Sequence, residues 1–401
     1  MQRWGVAVVV TVRVAVTHGV TMSHTSDDRG DIHLGVRCPM AAALATTVEG
    51  LDADYLNGVL AVDGARVTEV AATRIGTGQV ALSLLLELTW DRDDPELPTQ
   101  LVAKIPAAEA ESRAAAAMHR TYELETGFYA DLTGMVSVPH PRARHVAFDA
   151  ASGDFTLIME VAPGVVGDQL AGCSVPAATA IVDAAVGLHA PTWDRAEELL
   201  AHSWLTRPDA ATLEMRVGAY RHLLPRFIER FSPRLAPDVI DAARWLGERL
   251  VDVALAYRSP MCLVHGDFRL DNMLFDPSAS ASSGAVSVTV VDWQTVGLGR
   301  GAVDVAYGLG SGLPPEDRRR VESALVDRYV AGLSAHGVTG DEVADAVRHD
   351  YRLGATSGLA MSVIASQLVA STPRGDEMFA VMAERHAAQM VDNDTMELVG
   401  G

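Results

Sequence analysis

The sequence predicts an α+β protein of two lobes, with an antiparallel sheet in the N-terminal lobe and mainly helices in the C-terminal one. Three observations carry this expectation. At 401 residues the chain exceeds the size at which a single core usually stops growing, and 49% hydrophobic residues are enough to fill two cores. Between Ala65 and Pro106 apolar runs alternate with glycine and polar turns, as in a meander of strands. From Pro176 onward apolar residues recur at helical spacing, interrupted by one strand-bearing stretch, Leu263–Leu309.

Charge and cysteine usage narrow the partners. The formal net charge is −20, with 52 Asp and Glu against 32 Lys and Arg. That argues against a nucleic-acid partner, because phosphate backbones are bound by a local cationic excess. Cys38, Cys173 and Cys262 form no CxxC pair, which indicates neither a zinc site nor a disulfide framework and fits a reducing cytoplasm. In the opening MQRWGVAVVVTVRVAVTHGVTM the uncharged run Trp4–Val12 is too short to span a bilayer before Arg13 interrupts it. No clear small-residue cleavage site follows. Residues 1–45 are therefore read as an extension, disordered or belonging to a mis-assigned start, with the working protein beginning near Met22. Residues 46–160 form the N-lobe and 161–401 the C-lobe, and no protein partner is implied.

In the N-lobe, Leu51–Leu60 has helical spacing, with Asp52 or Asp54 to start the helix. The strands ARVTEVAATRI, VALSLLLELTW and TQLVAKIP follow, joined by GTGQ and DRDDPELP. Gly76 and Gly78 can let backbone N–H groups close on phosphate oxygens, though two glycines between strands also make an ordinary hairpin. Lys104 is the only lysine in the chain. A strand lysine pointing to solvent is the plain reading, but a chain that otherwise draws every cation from arginine has a reason to keep one lysine. Glu109–Leu132 reads as an alanine-rich helix ending near Gly134, and a glutamate on it, Glu123 or Glu125, can hold such a lysine in an ion pair. GDFTLIMEVAPG supplies a further strand ending at Met159–Val161, and Pro163–Gly164 suits a connector between lobes.

Helices are expected over Pro176–His189, Asp209–Phe231 (one or two), Pro237–Tyr257, Pro315–His336, Gly340–Val369 and Asp376–Leu398. There is no internal repeat. In LVHGDFRLDNMLF a short apolar strand delivers His265, Gly266 and Asp267 to a loop. Asn272 follows five residues after Asp267, and VSVTVVD ends a second strand in Asp292. The small-residue segment 277–285 suits a hairpin loop that sets the two strands side by side.

That spacing suits phosphoryl transfer, which asks little covalent work of a protein. It needs ATP phosphates held with a divalent metal, and an acceptor hydroxyl aligned with a carboxylate. Asp267 on a tight loop can accept the hydroxyl proton, Asn272 and Asp292 offer the hard oxygen ligands that Mg²⁺ takes, and Lys104 can neutralise phosphate charge from the other lobe. Each piece has a rival role. His265 is a metal ligand or a structural hydrogen-bonding residue. Asp271 and Asp304 are further ligands, or Asp304 starts a helix or anchors the catalytic loop. Arg269 meets a substrate anion or forms an exposed salt bridge, and Trp293 packs in the core. HGD alone is common by chance, whereas HGDxxxxN followed by VVD at a strand end and a glycine-rich helix start is not.

The segments HGDFRLDN and VVDWQTVGLGRGAVDVA resemble the catalytic and metal-binding signatures of the aminoglycoside phosphotransferase and choline kinase-like superfamily, relatives of the protein kinases. VVGDQL with Gly167, Asp168 and Gln169, GLHAPTWD around His189 and Trp193, and TPRGDEMF resemble bacterial members of its ecdysteroid-kinase-like (CHK kinase-like) branch. The resemblance covers about residues 50–395. It implies a two-lobed protein-kinase-like fold, with nucleotide bound by the N-lobe and catalysis and acceptor binding in the C-lobe. Carried over position by position, it implies Asp267 as catalytic base, Asn272 and Asp292 as Mg²⁺ ligands and Lys104 as the phosphate-binding lysine. Glu125, three residues before the Phe128–Tyr129 pair as in the family's E..FY pattern, becomes the expected partner of Lys104, with Glu123 still a rival. Glu160 and Val161 belong to the Met159–Val161 hinge that receives adenine. The departure is the glycine loop, where GTGQVA lacks a third glycine.

The expected function is ATP-dependent transfer of the γ-phosphate to a hydroxyl of a small molecule. The apolar GLAMSVIASQLV segment leans toward a steroid or lipid-like alcohol, and the acidic chain would tolerate a cationic aminoglycoside. A hydroxyacyl thioester is a further acceptor in the family, and a nucleotide-binding pseudokinase scaffold or a transition-metal hydrolase on His265, Asp267 and Asp292 are the rival classes.

Overall fold

In the computed structural model the described residues are 43–76, 80–277 and 286–399, together with a short strand at Val12–Arg13. The expectation of a disordered extension over residues 1–45 falls almost wholly outside them. Two units are formed, Met1–Thr126 with Arg142–Val161, and Gly127–Pro141 with Ala162–Gly401.

The first unit contains β1 (Val12–Arg13), α1 (Ala53–Leu60), β2 (Val67–Ile75), β3 (Ala81–Trp90), β4 (Gln100–Pro106), α2 (Ala110–His119), α3 (Thr121–Gly127), β5 (Ala143–Asp149) and β6 (Asp154–Glu160). Its sheet runs β1-β2-β3-β4-β6-β5, with every neighbouring pair antiparallel. The expected meander β2-β3-β4 is therefore present, and period-two alternation buries Leu84, Leu86 and Leu88 of β3 on one face. They share a core with Leu56 of α1 and Leu101, Ala103 and Ile105 of β4. Of the two acids offered as the start of α1, Asp52 takes the role, its side chain accepting the Tyr55 N–H at 2.8 Å.

The single helix expected over Glu109–Leu132 is three pieces. Arg120 adopts φ 55°, a left-handed cap that sends its N–H back to the carbonyls of Ala116 and Ala117 and ends α2. The chain restarts as α3 and then widens to one π-helical turn, Phe128–Leu132.

The second unit contains β7 (Val165–Val166), α4 (Val175–His189), α5 (Ala196–Leu199), α6 (Ala210–Phe231), α7 (Pro237–Ala256), β8 (Cys262–Val264), β9 (Met273–Asp276), β10 (Ser287–Val290), β11 (Gly297–Gly299), α8 (Gly301–Gly312), α9 (Pro315–Ala335), α10 (Asp341–Gly354), α11 (Thr356–Leu368) and α12 (Pro373–Asp392). β9 pairs antiparallel with both β10 and β7, and β8 with β11. These two small sheets frame the 263–309 segment. Residues Gly297–Gly299 pair as β11, and the helix expected after a glycine-rich start begins at Gly301.

Two helical expectations are also corrected. Gly340–Val369 is two helices, because the chain turns at Gly354–Ala355, where a Cβ on Gly354 would stand 2.9 Å from the Ala306 Cβ and 3.0 Å from the Val303 Cα. Asp376–Leu398 starts earlier, at Pro373, where the Thr372 hydroxyl accepts the Gly375 N–H at 3.0 Å. It ends at Asp392, two residues before Asp394 turns left-handed at φ 49°. Among the described residues no helix is long and apolar enough to cross a membrane.

His386 of α12 is fully buried, with Nδ1 donating to the Ala355 carbonyl at 3.2 Å. Burial, helped by the charges of Arg318 and Arg385 and opposed by the bonds to Ala355 and Gln389, pushes its pKa down to about 3. An unfolded imidazole takes its proton near pH ~6.5, so between these values the unfolded state binds the extra proton and stability is lost as pH falls. The expected loss from this group is about 2 kcal/mol by pH ~5. Thermal melts should show a smaller drop on acidification from neutral to pH ~5 in His386→Gln than in the parent, and an equal drop would remove His386 as the cause.

Candidate active site

The head of the 263–309 segment hangs on one buried carboxylate. Asp304, in the first turn of α8 and 2% exposed, accepts the His265 N–H at 2.7 Å on Oδ2 and the Gly266 N–H at 3.2 Å on Oδ1. Of its rival roles, loop anchor is the one its geometry fits. Gly266 is required twice over: its φ is 82°, and a Cβ there would stand 2.7 Å from the Thr295 carbonyl oxygen. The Thr295 hydroxyl donates to the His265 carbonyl at 2.7 Å, closing the loop against the segment after β10.

His265 is structural. Its Nε2 donates to the Val291 carbonyl at 3.0 Å and its Nδ1 faces the Asp267 N–H at 3.3 Å, so both ring nitrogens are engaged. The GLHAPTWD segment also acts from behind. His189 meets Asp304 Oδ2 at 3.4 Å and the Tyr329 hydroxyl at 2.8 Å, while Thr192 Oγ1 accepts the Leu263 N–H at 3.1 Å. VVGDQL is a second buttress. The Gly167 N–H donates to the Met273 carbonyl at 2.9 Å, a Cβ on Gly167 would stand 2.7 Å from the Leu270 carbonyl oxygen, and Gln169 Oε1 accepts the Leu270 N–H at 3.2 Å. Arg385 in turn holds the carbonyls of Gln169, Leu170 and Ser311.

The loop presents Asp267 in a dense set of donors. Oδ1 accepts from Arg269 Nε at 3.0 Å and from the Tyr307 hydroxyl at 3.0 Å, and Oδ2 from Asn272 Nδ2 at 2.9 Å and Arg269 Nε at 3.2 Å. Burial alone would raise its pKa, but the charge of Arg269, with His265, Asn272 and Tyr307, holds the carboxyl below the usual range. Burial and the charge of Asp267 push the Tyr307 phenol well up, so it remains a donor. Arg269 is neither a plain exposed salt bridge nor open to an incoming anion, since it bridges Asp267 and Asp271, the latter at 2.6 Å.

Asn272 and Asp292 come together through backbone pairing. The Val291 N–H donates to the Asn272 carbonyl at 2.9 Å, and Met273 lies opposite Val290 in the β9–β10 ladder. Asn272 Nδ2 also donates to the Asp267 carbonyl at 2.8 Å, which leaves Oδ1 as the amide atom turned away from Asp267. Asp292 has φ 67°, a left-handed conformation that aspartate tolerates better than most residues, and Gln294 Nε2 donates to its Oδ2 at 3.2 Å. The next residue, Trp293, is fully buried and stacks on Phe128 with centroids 3.7 Å apart, as core packing requires.

In the first unit, Lys104 does not point to solvent. It is 8% exposed and bonds both carboxylate oxygens of the buried Glu125 at 2.7 Å. Glu123 instead pairs with Arg120 at 2.7 Å, so the choice between the two glutamates falls to Glu125. Gly76 has φ 71° and open space where a Cβ would stand; Gly78 lies outside the described residues. The Glu160 N–H is engaged by the Arg142 carbonyl at 2.9 Å, which removes it as a donor, and Val161 is exposed.

Sequence reasoning missed Tyr307 altogether. Its signal was available, because Tyr307 stands three residues after Asp304 on one helix and therefore shares its side. Among the described residues no cluster of three or more His, Cys, Asp or Glu side chains has metal-ligating geometry. With both nitrogens of His265 engaged, the arrangement does not fit a transition-metal hydrolase on His265, Asp267 and Asp292.

Comparison with known proteins places the chain in a family. No curated protein matches the sequence. The ethanolamine kinase of Plasmodium vivax is 13% identical, with 86% of this chain and 90% of that chain covered and a TM-score of 0.51. The choline kinase of Cryptosporidium parvum is 11% identical, with coverages of 82% and 90% and the same TM-score of 0.51. At such identities the likeness shows the fold, which is protein-kinase-like. The model of the phosphotransferase enzyme family (APH) matches residues 83–339, well over half of the chain. The chain accordingly belongs to the phosphotransferase enzyme family and is a small-molecule phosphotransferase with an alcohol group as acceptor.

Proposed function

We propose that this phosphotransferase uses Mg·ATP and moves the γ-phosphate to a hydroxyl of a small molecule, with Asp267 as the base. The observation that carries the reading is the pairing of Asn272 with the Val291–Asp292 turn beside Asp267. It gathers one proton acceptor and two oxygen donors on adjacent strand ends. The donor set fits magnesium, which takes hard oxygen ligands and commonly uses only one or two from the protein, the rest coming from phosphate and water. Asn272, with its nitrogen occupied by Asp267, offers Oδ1, and Asp292 offers its carboxylate. When bound, the metal would offset charge on the phosphate oxygens. The protein's own part is to orient Asp267 toward the acceptor hydroxyl and take its proton, and to bring the Lys104 ammonium, fixed by Glu125, to the nucleotide phosphates.

On this reading residues 46–160 serve the nucleotide and 161–401 catalysis and the acceptor, with Gly76 and Gly78 near the phosphates. At the hinge the adenine would meet backbone groups of Glu160 and Val161 other than the Glu160 N–H. The chain would work in the cytoplasm, where ATP is supplied. The acceptor is argued from two sides. Leu359 and Val363 of the GLAMSVIASQLV segment lie in one core cluster with Phe227 and Phe231, so packing accounts for that part of the apolar stripe and weakens the argument for a steroid or lipid-like alcohol. The net charge of −20 favours a cationic acceptor such as an aminoglycoside.

The test is an acceptor screen with both classes, plus hydroxyacyl thioesters, in which phosphorylated product is detected by mass. Asp267→Asn should lower transfer by about 10²- to 10⁴-fold while leaving Mg·ATP binding largely intact; equal activity in the variant and the parent would sink the assignment of the base. Asp292→Asn should weaken Mg·ATP binding as well, seen as a smaller ATP-induced rise in melting temperature. Lys104→Met should reduce kcat/KM for ATP by roughly 10²-fold. Glu125→Gln should reduce it too and cost about 3 kcal/mol of stability, because it leaves a buried ammonium without its charge partner. If ATP binds and no hydroxyl in the library is phosphorylated, the pseudokinase scaffold becomes the better reading.

A further inference from the structure

The contacts of Asp267 leave it little room to act as a base. An ionised carboxylate has about four lone-pair positions. Here each oxygen receives two contacts, Oδ1 from Arg269 Nε and Tyr307 and Oδ2 from Arg269 Nε and Asn272. A hydroxyl that is to hand its proton to Asp267 must first displace a donor. Asn272 is tied to the Asp267 backbone carbonyl by the same nitrogen, and Tyr307 is held on α8 with its ring against His386, at 5.6 Å between centroids. Arg269 differs from both. It already has a second seat, with Nη1 at 2.6 Å from Asp271 Oδ2 and 3.4 Å from the sulfur of Met378 on α12. Its guanidinium spans two carboxylates and can release one while keeping the other.

We propose that Arg269 is a latch: it closes Asp267 to water and yields to an acceptor hydroxyl by shifting onto Asp271, and so suppresses wasteful hydrolysis of ATP. The proposal rests on the Mg·ATP reading and on Asp267 as base. In the suppressed reaction a water oxygen bonds to the γ-phosphorus as the bond to the bridging β-phosphate oxygen breaks. The water proton passes to Asp267, and ADP leaves with the electron pair. Arg269 acts here through Asp267, as a positioning residue. Its grip on Asp267 is a charge-assisted hydrogen bond, the kind that a single incidental water displaces poorly and a correctly seated hydroxyl displaces with the help of its other contacts.

The experiment measures ADP release from Mg·ATP with no acceptor added, so it does not depend on knowing the acceptor. Arg269→Met should raise release by roughly tenfold, the factor carried by one charge-assisted hydrogen bond, and Arg269→Lys, which keeps the charge and loses the fork, should raise it less. The double variant Asp267→Asn/Arg269→Met should return to background, since the freed base is what activates the water. Asp271→Asn, which removes the second seat and leaves Arg269 on Asp267, should lower release below that of the parent. A merely structural Arg269 would lower release in every one of these variants. Unchanged or lower release in both Arg269 variants, with the ATP-induced rise in melting temperature retained, overturns the latch. Absence of that rise in the parent protein overturns instead the Mg·ATP reading beneath it. Arg269→Lys keeps the test decisive if Arg269→Met does not fold.

Discussion

The 263–309 segment depends on the buried carboxylate of Asp304. An ionised group taken out of water needs strong compensation, and Asp304 finds it in two successive backbone N–H groups, those of His265 and Gly266. The start of α8 contributes as well, since a helix N-terminus favours negative charge. The exchange is mutual, because the same bonds hold the loop in its left-handed reversal at Gly266 and so aim Asp267. Around this point the chain repeats a single device. His189, Thr192, Gln169 and Arg385 each bond a backbone or carboxylate group behind the loop. The loop that presents Asp267 is thus supported from behind by a layer of polar side chains.

In front of that layer the chain manages charge sparingly. Two carboxylates, Asp267 and Asp271, share one guanidinium, and neutral donors from Asn272 and Tyr307 complete the coordination of the first. Arginine suits this use because its planar fork reaches two partners at once. Cys173 takes no part in such chemistry, since burial pushes its thiol up to about 12, and burial raises that of Cys262 as well.

Much of this was legible in the sequence for reasons that can be named. Strand alternation from Ala65 to Pro106 and helical spacing after Pro176 are short-range signals, and they gave the α+β class and most elements. HGDxxxxN with VVD named Asp267, Asn272 and Asp292 as candidates, and their adjacency was legible because spacing within a loop is local. What stayed hidden is non-local or conformational. The break at Arg120 needs a left-handed arginine, and the turn at Gly354 is set by contact with Val303 and Ala306 of α8. The bridge from Arg269 to both acids and the Tyr307 hydroxyl on Asp267 depend on rotamers and on a helix packed against the loop, which no periodicity reports.

The lone lysine has a practical consequence. Lys104 sits in β4 opposite Ser83 on one side and Leu157 on the other, with its amine clasped by Glu125. A lysine-directed endoprotease or an amine-acylating label therefore has one internal target in the whole chain, and that target is sheltered in the middle of a sheet. Proteolysis there requires this sheet to open. The molecule thus carries a built-in single-site gauge of local unfolding in its first unit.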